Sequence, residues 1–182
     1  MKIGLTGTHG IGKTSLAYAL VGELKSRGVK AGMIREFVRE CPLPAGTEEN
    51  NSAEAQAWIL SRQVAEEIEA ASRFDVVVCD RTVIDNYAYF LWVKEKFPCS
   101  QEIENFCRAI FENWSKTYDF VFKLEPAFNP QNDGFRSINP DWQMQIDRIV
   151  NGNISKLGIS ARKLELKANR ERADEVLRVV GI

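Results

Sequence analysis

The amino-acid sequence predicts an α/β fold with a mainly parallel sheet. Three observations carry this. β-type and helical segments alternate along the chain. Leu16, Leu20 and Leu24 recur at the four-residue spacing of a helix face. Val76-Val77-Val78-Cys79 is apolar on consecutive positions, as in a strand covered on both faces by helices.

Residues 2–6 read as a first strand that runs straight into a glycine cluster, and a helix follows from Lys13 until Gly28 stops it. Residues 29–38 read as a second strand, ended by Cys41-Pro42-Leu43-Pro44, because proline continues neither ladder nor helix. After a polar loop at 46–51, Ser52 caps a helix to about Arg73, with Glu54 in its first turn. The strand at 74–80 precedes a helix at 82–97 that stops at Pro98. The next helix, from about Ser100, carries a core stripe of Ile103, Phe106, Cys107, Ile110, Phe111 and Trp114. Residues 118–124 form a strand, and 126–140 a loop rich in Asn, Pro and Gly. Asn139-Pro140-Asp141 opens a helix with a cap, a first-turn proline and an acid. A last strand at 159–166 and a helix at 171–180 complete the chain.

At 182 residues this is one domain, 1–182, with room for a small flap at about 127–150. Lys and Arg number 24 against 25 Asp and Glu, so the basic excess of an electrostatic nucleic-acid binder is absent and nucleic acid is not the expected partner. Cys41, Cys79, Cys99 and Cys107 form no Cys-x-x-Cys pair, and with the lone His9 they make no zinc-like grouping. The apolar run at 87–93 is too short to span a bilayer, and no apolar stretch of signal-peptide length follows Met1-Lys2. A cytoplasmic location is the expectation.

Gly7-Thr8-His9-Gly10-Ile11-Gly12-Lys13-Thr14 matches the phosphate-loop pattern Gly-x4-Gly-Lys-[Ser/Thr]. Its glycines let successive N–H groups face phosphate oxygens, and the helix that starts beside Lys13 and runs on through Ser15 adds its positive end. Lys13 would reach the β- and γ-phosphates, and the Thr14 hydroxyl would bind Mg²⁺. The motif also falls between a strand and a helix, so the chain is expected to bind a nucleoside triphosphate. His9 is a variable position of this loop, open to a titrating or substrate-sensing role or to simple filling.

The second signal is Asp80-Arg81, an acid and a cation at the C-terminal end of a buried strand, where ligands gather in open α/β sheets. Asp80 either organises Mg²⁺ through water, accepts a proton from an attacking hydroxyl, or merely caps the next helix. A hydrolysing ATPase usually carries a glutamate after this acid to position water; Arg81 cannot act as that base. No guanine-reading Asn-Lys-x-Asp occurs either. Both absences favour phosphoryl transfer to a second substrate, with Arg81 holding a phosphate or hydroxyl of the acceptor. Tyr87, Tyr89, Phe90 and Trp92 follow on a helix, as core residues or as a stacking surface for the acceptor. The Lys and Arg residues in 162–178 read as a solvated helix face.

Residues 7–14, Arg35-Glu36-Phe37-Val38-Arg39-Glu40-Cys41-Pro42, Cys79-Asp80-Arg81-Thr82 and Asp133-Gly134-Phe135-Arg136 together resemble P-loop nucleoside and nucleotide kinases. The likeness is closest to the group that includes the nicotinamide riboside kinase domain and is often labelled an AAA-type ATPase domain. It touches blocks from residue 1 to about 150. It implies a three-layer sandwich around a five-stranded parallel sheet, with a lid. It also implies that Glu36 and Arg39 face the phosphate acceptor, although a solvated charge pair beside a proline turn is an equal reading. Asp133, Gly134 and Arg136 match a lid loop whose arginine closes over the phosphates, or an ordinary turn; Arg148 on the next helix is a second candidate. Related kinases hold adenine near 167–170, where this sequence has no distinctive motif.

The resulting expectation is an ATP- and Mg²⁺-dependent phosphotransferase acting on a nucleoside or nucleoside monophosphate. The phosphate loop needs no acceptor, so a nucleotide-dependent regulator or weak NTPase read by a protein partner is the alternative.

Overall fold

The computed structural model describes residues 1–126, 137–165 and 168–182. Five parallel strands, β1 (Lys2–Thr6), β2 (Ala31–Ile34), β3 (Val76–Asp80), β4 (Phe120–Leu124) and β5 (Ala161–Leu164), lie in the order β2-β3-β1-β4-β5. Six helices connect or follow them: α1 (Lys13–Ser26), α2 (Ala53–Arg73), α3 (Val83–Lys94), α4 (Gln101–Trp114), α5 (Pro140–Leu157) and α6 (Asn169–Val180). Short 3-10 turns lie at Val38–Glu40 and Ser115–Thr117.

Alternation along each strand divides the core between two helix layers. Ile3, Leu5, Val76, Val78 and Phe122 pack with Leu16, Leu20 and Leu24 of α1 and Val176 and Leu177 of α6. Val77, Cys79 and Val121 face the other way, onto α2, α3, α4 and α5. This is the three-layer, five-stranded parallel architecture expected from the sequence. Gly4 lies on that second face, where a Cβ would come within 2.5 Å of Thr82 Cγ2 and 3.2 Å of Tyr118 Cδ1. Only a glycine lets those two side chains close over β1.

The capping residues act as anticipated. Ser52 Oγ accepts from Ala55 N at 3.1 Å, and Asn139 Oδ1 accepts from Asp141 N at 2.9 Å. The second strand is shorter than the expected 29–38: it stops at Ile34, opposite Cys79, one residue before β3 itself ends at Asp80 and leaves the segment beyond no strand to run along. Glu36 and Arg39 therefore lie beyond the strand, Arg39 on the 3-10 turn at the surface. Within the stripe of α4, Cys107 and Phe111 are buried and Ile103, Ile110 and Trp114 pack half-buried against the core, but Phe106 is 47% exposed. Of the segment expected as a flap, residues 127–136 lie outside the described residues. The part within α5 packs into the core through Trp142, Ile146 and Val150, and the buried Lys123 Nζ donates to Asp147 Oδ1 at 2.7 Å to tie α5 to β4. No helix among the described residues is long and apolar enough to cross a membrane.

Candidate active site

The C-terminal ends of β1 and β3 lie side by side, with Leu5 opposite Asp80, and the order of the sheet reverses around β1. Ligands bind at such a crevice in parallel sheets. The loop that leaves β1 turns on Gly7, Gly10 and Gly12, at φ of 136°, 72° and 85°. A Cβ at Gly7 would meet the Leu124 carbonyl oxygen at 2.7 Å, so the loop lies flush against β4. Gly12 is the N-cap of α1; it offers no side-chain acceptor, and the first turn has no acid. The first-turn N–H groups are thus left for an anion.

Lys13 Nζ curls back over the loop and donates to Gly7 O at 2.9 Å and Thr8 O at 2.5 Å. Burial and the nearby Arg81 guanidinium depress its pKa to about 7, against the opposing pull of Asp85, Asp80 and Glu36. The next residue, Thr14, donates through Oγ1 to Asp80 Oδ2 at 2.6 Å. Burial pushes the Asp80 carboxyl up, while Lys13 and the Thr14 hydrogen bond pull it down.

Arg81 has φ of 104°, the left-handed backbone region, and is the non-glycine residue found there among the described residues. Such a conformation costs about 1–3 kcal/mol and persists only where the surroundings impose it. It aims the guanidinium sideways. Arg81 Nε donates to Glu36 Oε1 at 2.6 Å, Nη1 lies 3.4 Å from Asp85 Oδ2, and Cζ stands 5.0 Å from the Tyr89 ring centroid. Burial disfavours this charge, but Glu36, Tyr89 and Asp85 outweigh it and raise the pKa further. Asp85 is itself fixed by Thr82 N at 2.8 Å, Thr82 Oγ1 at 2.6 Å and Thr6 Oγ1 at 3.1 Å.

A pocket opens beside this pair, lined by His9, Glu36, Asn51, Gln56, Arg81, Asn86, Tyr89 and Trp142 among others. His9 joins it to the phosphate loop. Its Nδ1 lies 2.8 Å from Tyr89 Oη, its ring centroid is 5.0 Å from that of Trp142, and its carbonyl accepts from Gln143 Nε2 at 2.8 Å. Two aromatic rings and three carboxamides around one carboxylate suit a planar, polar molecule.

A family model described as AAA domain matches residues 2–172, the phosphate loop, Asp80-Arg81 and the pocket included. The chain belongs to this AAA domain family. Its fold is that of P-loop nucleoside kinases. The structure of deoxyadenosine kinase from M. mycoides with bound dCTP superposes with a TM-score of 0.70 at 14% identity, covering 100% of this chain and 99% of that one. The NadR protein in complex with NR superposes with a TM-score of 0.74 at 16% identity, covering 100% of this chain and 52% of that one. The NadR protein in complex with NAD and AMP-PNP gives 0.69 at 15% identity, with 49% of that chain covered. The chain thus spans about half the length of NadR. No curated protein matches it in sequence.

Within this AAA domain, Gly7, Thr8, His9, Gly10, Ile11, Gly12, Lys13, Thr14 and Ser15 form the loop and first helical turn, and Asp80, Arg81 and Glu36 converge on it. Arg39 and Arg148 stand exposed; Asp133, Gly134 and Arg136 lie outside the described residues, as does Lys167. Of the four aromatics after Arg81, Tyr89 lines the pocket, whereas Tyr87 stacks on Phe111 at 4.2 Å in the core. Arg172 departs from the expected solvated face: it is buried beside Gly12, and its Nη2 donates to Asn169 Oδ1 at 2.7 Å. Sequence reasoning missed Asp85, Gln56 and Trp142. The box Thr82-x-x-Asp85, four residues after Arg81 at its acid, was the one available signal.

Proposed function

We propose that this AAA domain is an ATP- and Mg²⁺-dependent kinase that phosphorylates a small hydroxyl- or phosphate-bearing acceptor, a nucleoside or nucleoside monophosphate. The observation that carries this reading is the Glu36–Arg81 pair: it sits beside the phosphate loop and lines a pocket of its own. Proteins of this fold with bound dCTP and with NR support a nucleoside-type acceptor.

Lys13 and the loop amides hold the β- and γ-phosphates. Thr14 Oγ1 and Asp80 Oδ2, adjacent hard oxygens, fit Mg²⁺, which prefers oxygen ligands and keeps several waters. Mg²⁺ would neutralise charge on the phosphates. Glu36 accepts the proton of the acceptor hydroxyl as it attacks, and Arg81 holds that carboxylate and the acceptor in line. Arg39 is a further candidate for facing the acceptor, and Arg136, with Arg148 second, for closing over the reacting phosphates. Positioning and charge neutralisation supply most of the rate. Four thiols, none in a disulfide, go with a reducing, cytoplasmic setting. ADP release measured with a panel of nucleosides and nucleoside monophosphates tests the reading: acceptor-dependent release is expected, and slow release indifferent to every acceptor would favour a nucleotide-dependent regulator instead.

A further inference from the structure

Behind Arg81, away from the pocket, a buried network grips the main chain on both sides of the strained residue. Gln63 Nε2 of α2 donates to the Arg81 carbonyl at 3.2 Å and to Glu67 Oε1 at 2.6 Å. Tyr118 Oη accepts from Val83 N at 3.0 Å and donates to the same Glu67 Oε1 at 2.7 Å. Lys2 Nζ and Trp114 Nε1 each donate to Glu67 Oε2 at 2.7 Å. One carboxylate, 1% exposed, therefore orients both the group that holds the carbonyl of residue 81 and the group that holds the N–H of residue 83.

The cost of the arrangement shows what it does. Gln63 is fully buried, and among the described residues its Oε1 has no hydrogen-bond partner. A methionine or leucine would fill that space without burying an unsatisfied oxygen, so packing alone does not account for an amide there. What the amide alone supplies is its two N–H groups, and both are spent, on Glu67 and on Arg81 O. The remaining clamp comes from the front, where Thr82 N and Oγ1 bind Asp85. A left-handed non-glycine residue needs such over-determination, because nothing in its own backbone favours that state.

We propose that Gln63, oriented by Glu67 and seconded by Tyr118, is a positioning residue that locks the Arg81 backbone so that its guanidinium meets Glu36. The catalytic consequence rests on the proposed kinase function; the structural consequence does not, and the two are read separately. In the first arm, the Arg81 Nε–H resonance is followed by NMR. Bonded to Glu36, it should exchange slowly in the wild type and about tenfold faster in Gln63→Met. In the second, Gln63→Met should lower kcat with acceptor by about 10–100-fold at unchanged KM for ATP, and should cause no further loss in an Arg81→Ala background, where no guanidinium remains to be placed. Tyr118→Phe, which keeps the ring and removes the oxygen that holds Val83, should shift both readouts the same way and serves if Gln63→Met does not fold. A variant that loses thermal stability while its Nε–H exchange and kcat stay at wild-type values overturns the proposal, as does equal loss with and without Arg81. A wild type without transfer activity would remove the kinase reading and leave the NMR arm to decide this one.

Discussion

Thr14 Oγ1 and Asp80 Oδ2 are 2.6 Å apart, so the first turn of α1 and the end of β3 present a hydroxyl and a carboxylate to one point. In the proposed kinase these two oxygens would hold Mg²⁺, which would supply positive charge to the phosphates. Replacing Asp80 by Asn keeps the shape and a hydrogen-bond acceptor but removes the charge. The Mg²⁺ concentration for half-maximal activity should rise, and kcat should fall by about 100-fold or more at saturating ATP. A Mg²⁺ titration of Asp80→Asn against the wild type checks this.

In the proposed kinase Glu36, held by Arg81 Nε at 2.6 Å, takes the acceptor's proton, while Asp80 accepts from Thr14 on the metal side of the site. Glu36→Gln retains an oxygen for Arg81 Nε but is not a base. We expect kcat to drop by about 10²–10⁴-fold, with ATP binding unchanged by equilibrium titration.

The depressed pKa of Lys13, about 7, gives a pH dependence of defined sign. Phosphate favours the ammonium form, so the pKa rises when ATP binds. At pH 8 binding should take up a proton, and affinity should weaken by up to about tenfold per pH unit between the free and bound values. Isothermal titration calorimetry in buffers of different ionisation enthalpy measures the uptake directly. In folding, the unfolded chain holds more protons than the native one between about 7 and the ordinary 10.5, so this lysine makes stability rise with pH across that window.

Gly4 lets Thr82 and Tyr118 close over β1, and Thr82 follows Arg81 directly. Gly4→Ala should therefore cost about 1–3 kcal/mol of stability by overpacking and reduce activity as well. Gly152→Ala on α5, where an added Cβ meets nothing within 4 Å, is the control; it should be neutral or stabilising by up to about 1 kcal/mol. Urea unfolding of both variants checks the difference.

What was legible in the sequence was local. The phosphate loop, its strand and helix, and Asp80-Arg81 are contiguous, and their chemistry follows from spacing alone. The caps at Ser52 and Asn139 are local too. The end of β2 at Ile34 was not legible, because it depends on its pairing with β3, a strand remote in sequence. The exposure of Phe106 depends on where α4 lies, which periodicity does not state. Trp142 and Gln63 come from helices remote in sequence and meet His9 and Arg81 only once the layers have packed. The left-handed backbone of Arg81 has no sequence signature, since the residues that impose it belong to α2, α3 and β1.

The most direct test of the central claim is to incubate the protein with ATP labelled in its γ-phosphate, Mg²⁺ and a panel of nucleosides and nucleoside monophosphates, and to identify products by mass. Labelled phosphate on one of these acceptors is expected with the wild type, and none with a folded Lys13→Ala. Label appearing only as inorganic phosphate, or transfer that survives Lys13→Ala, would contradict it.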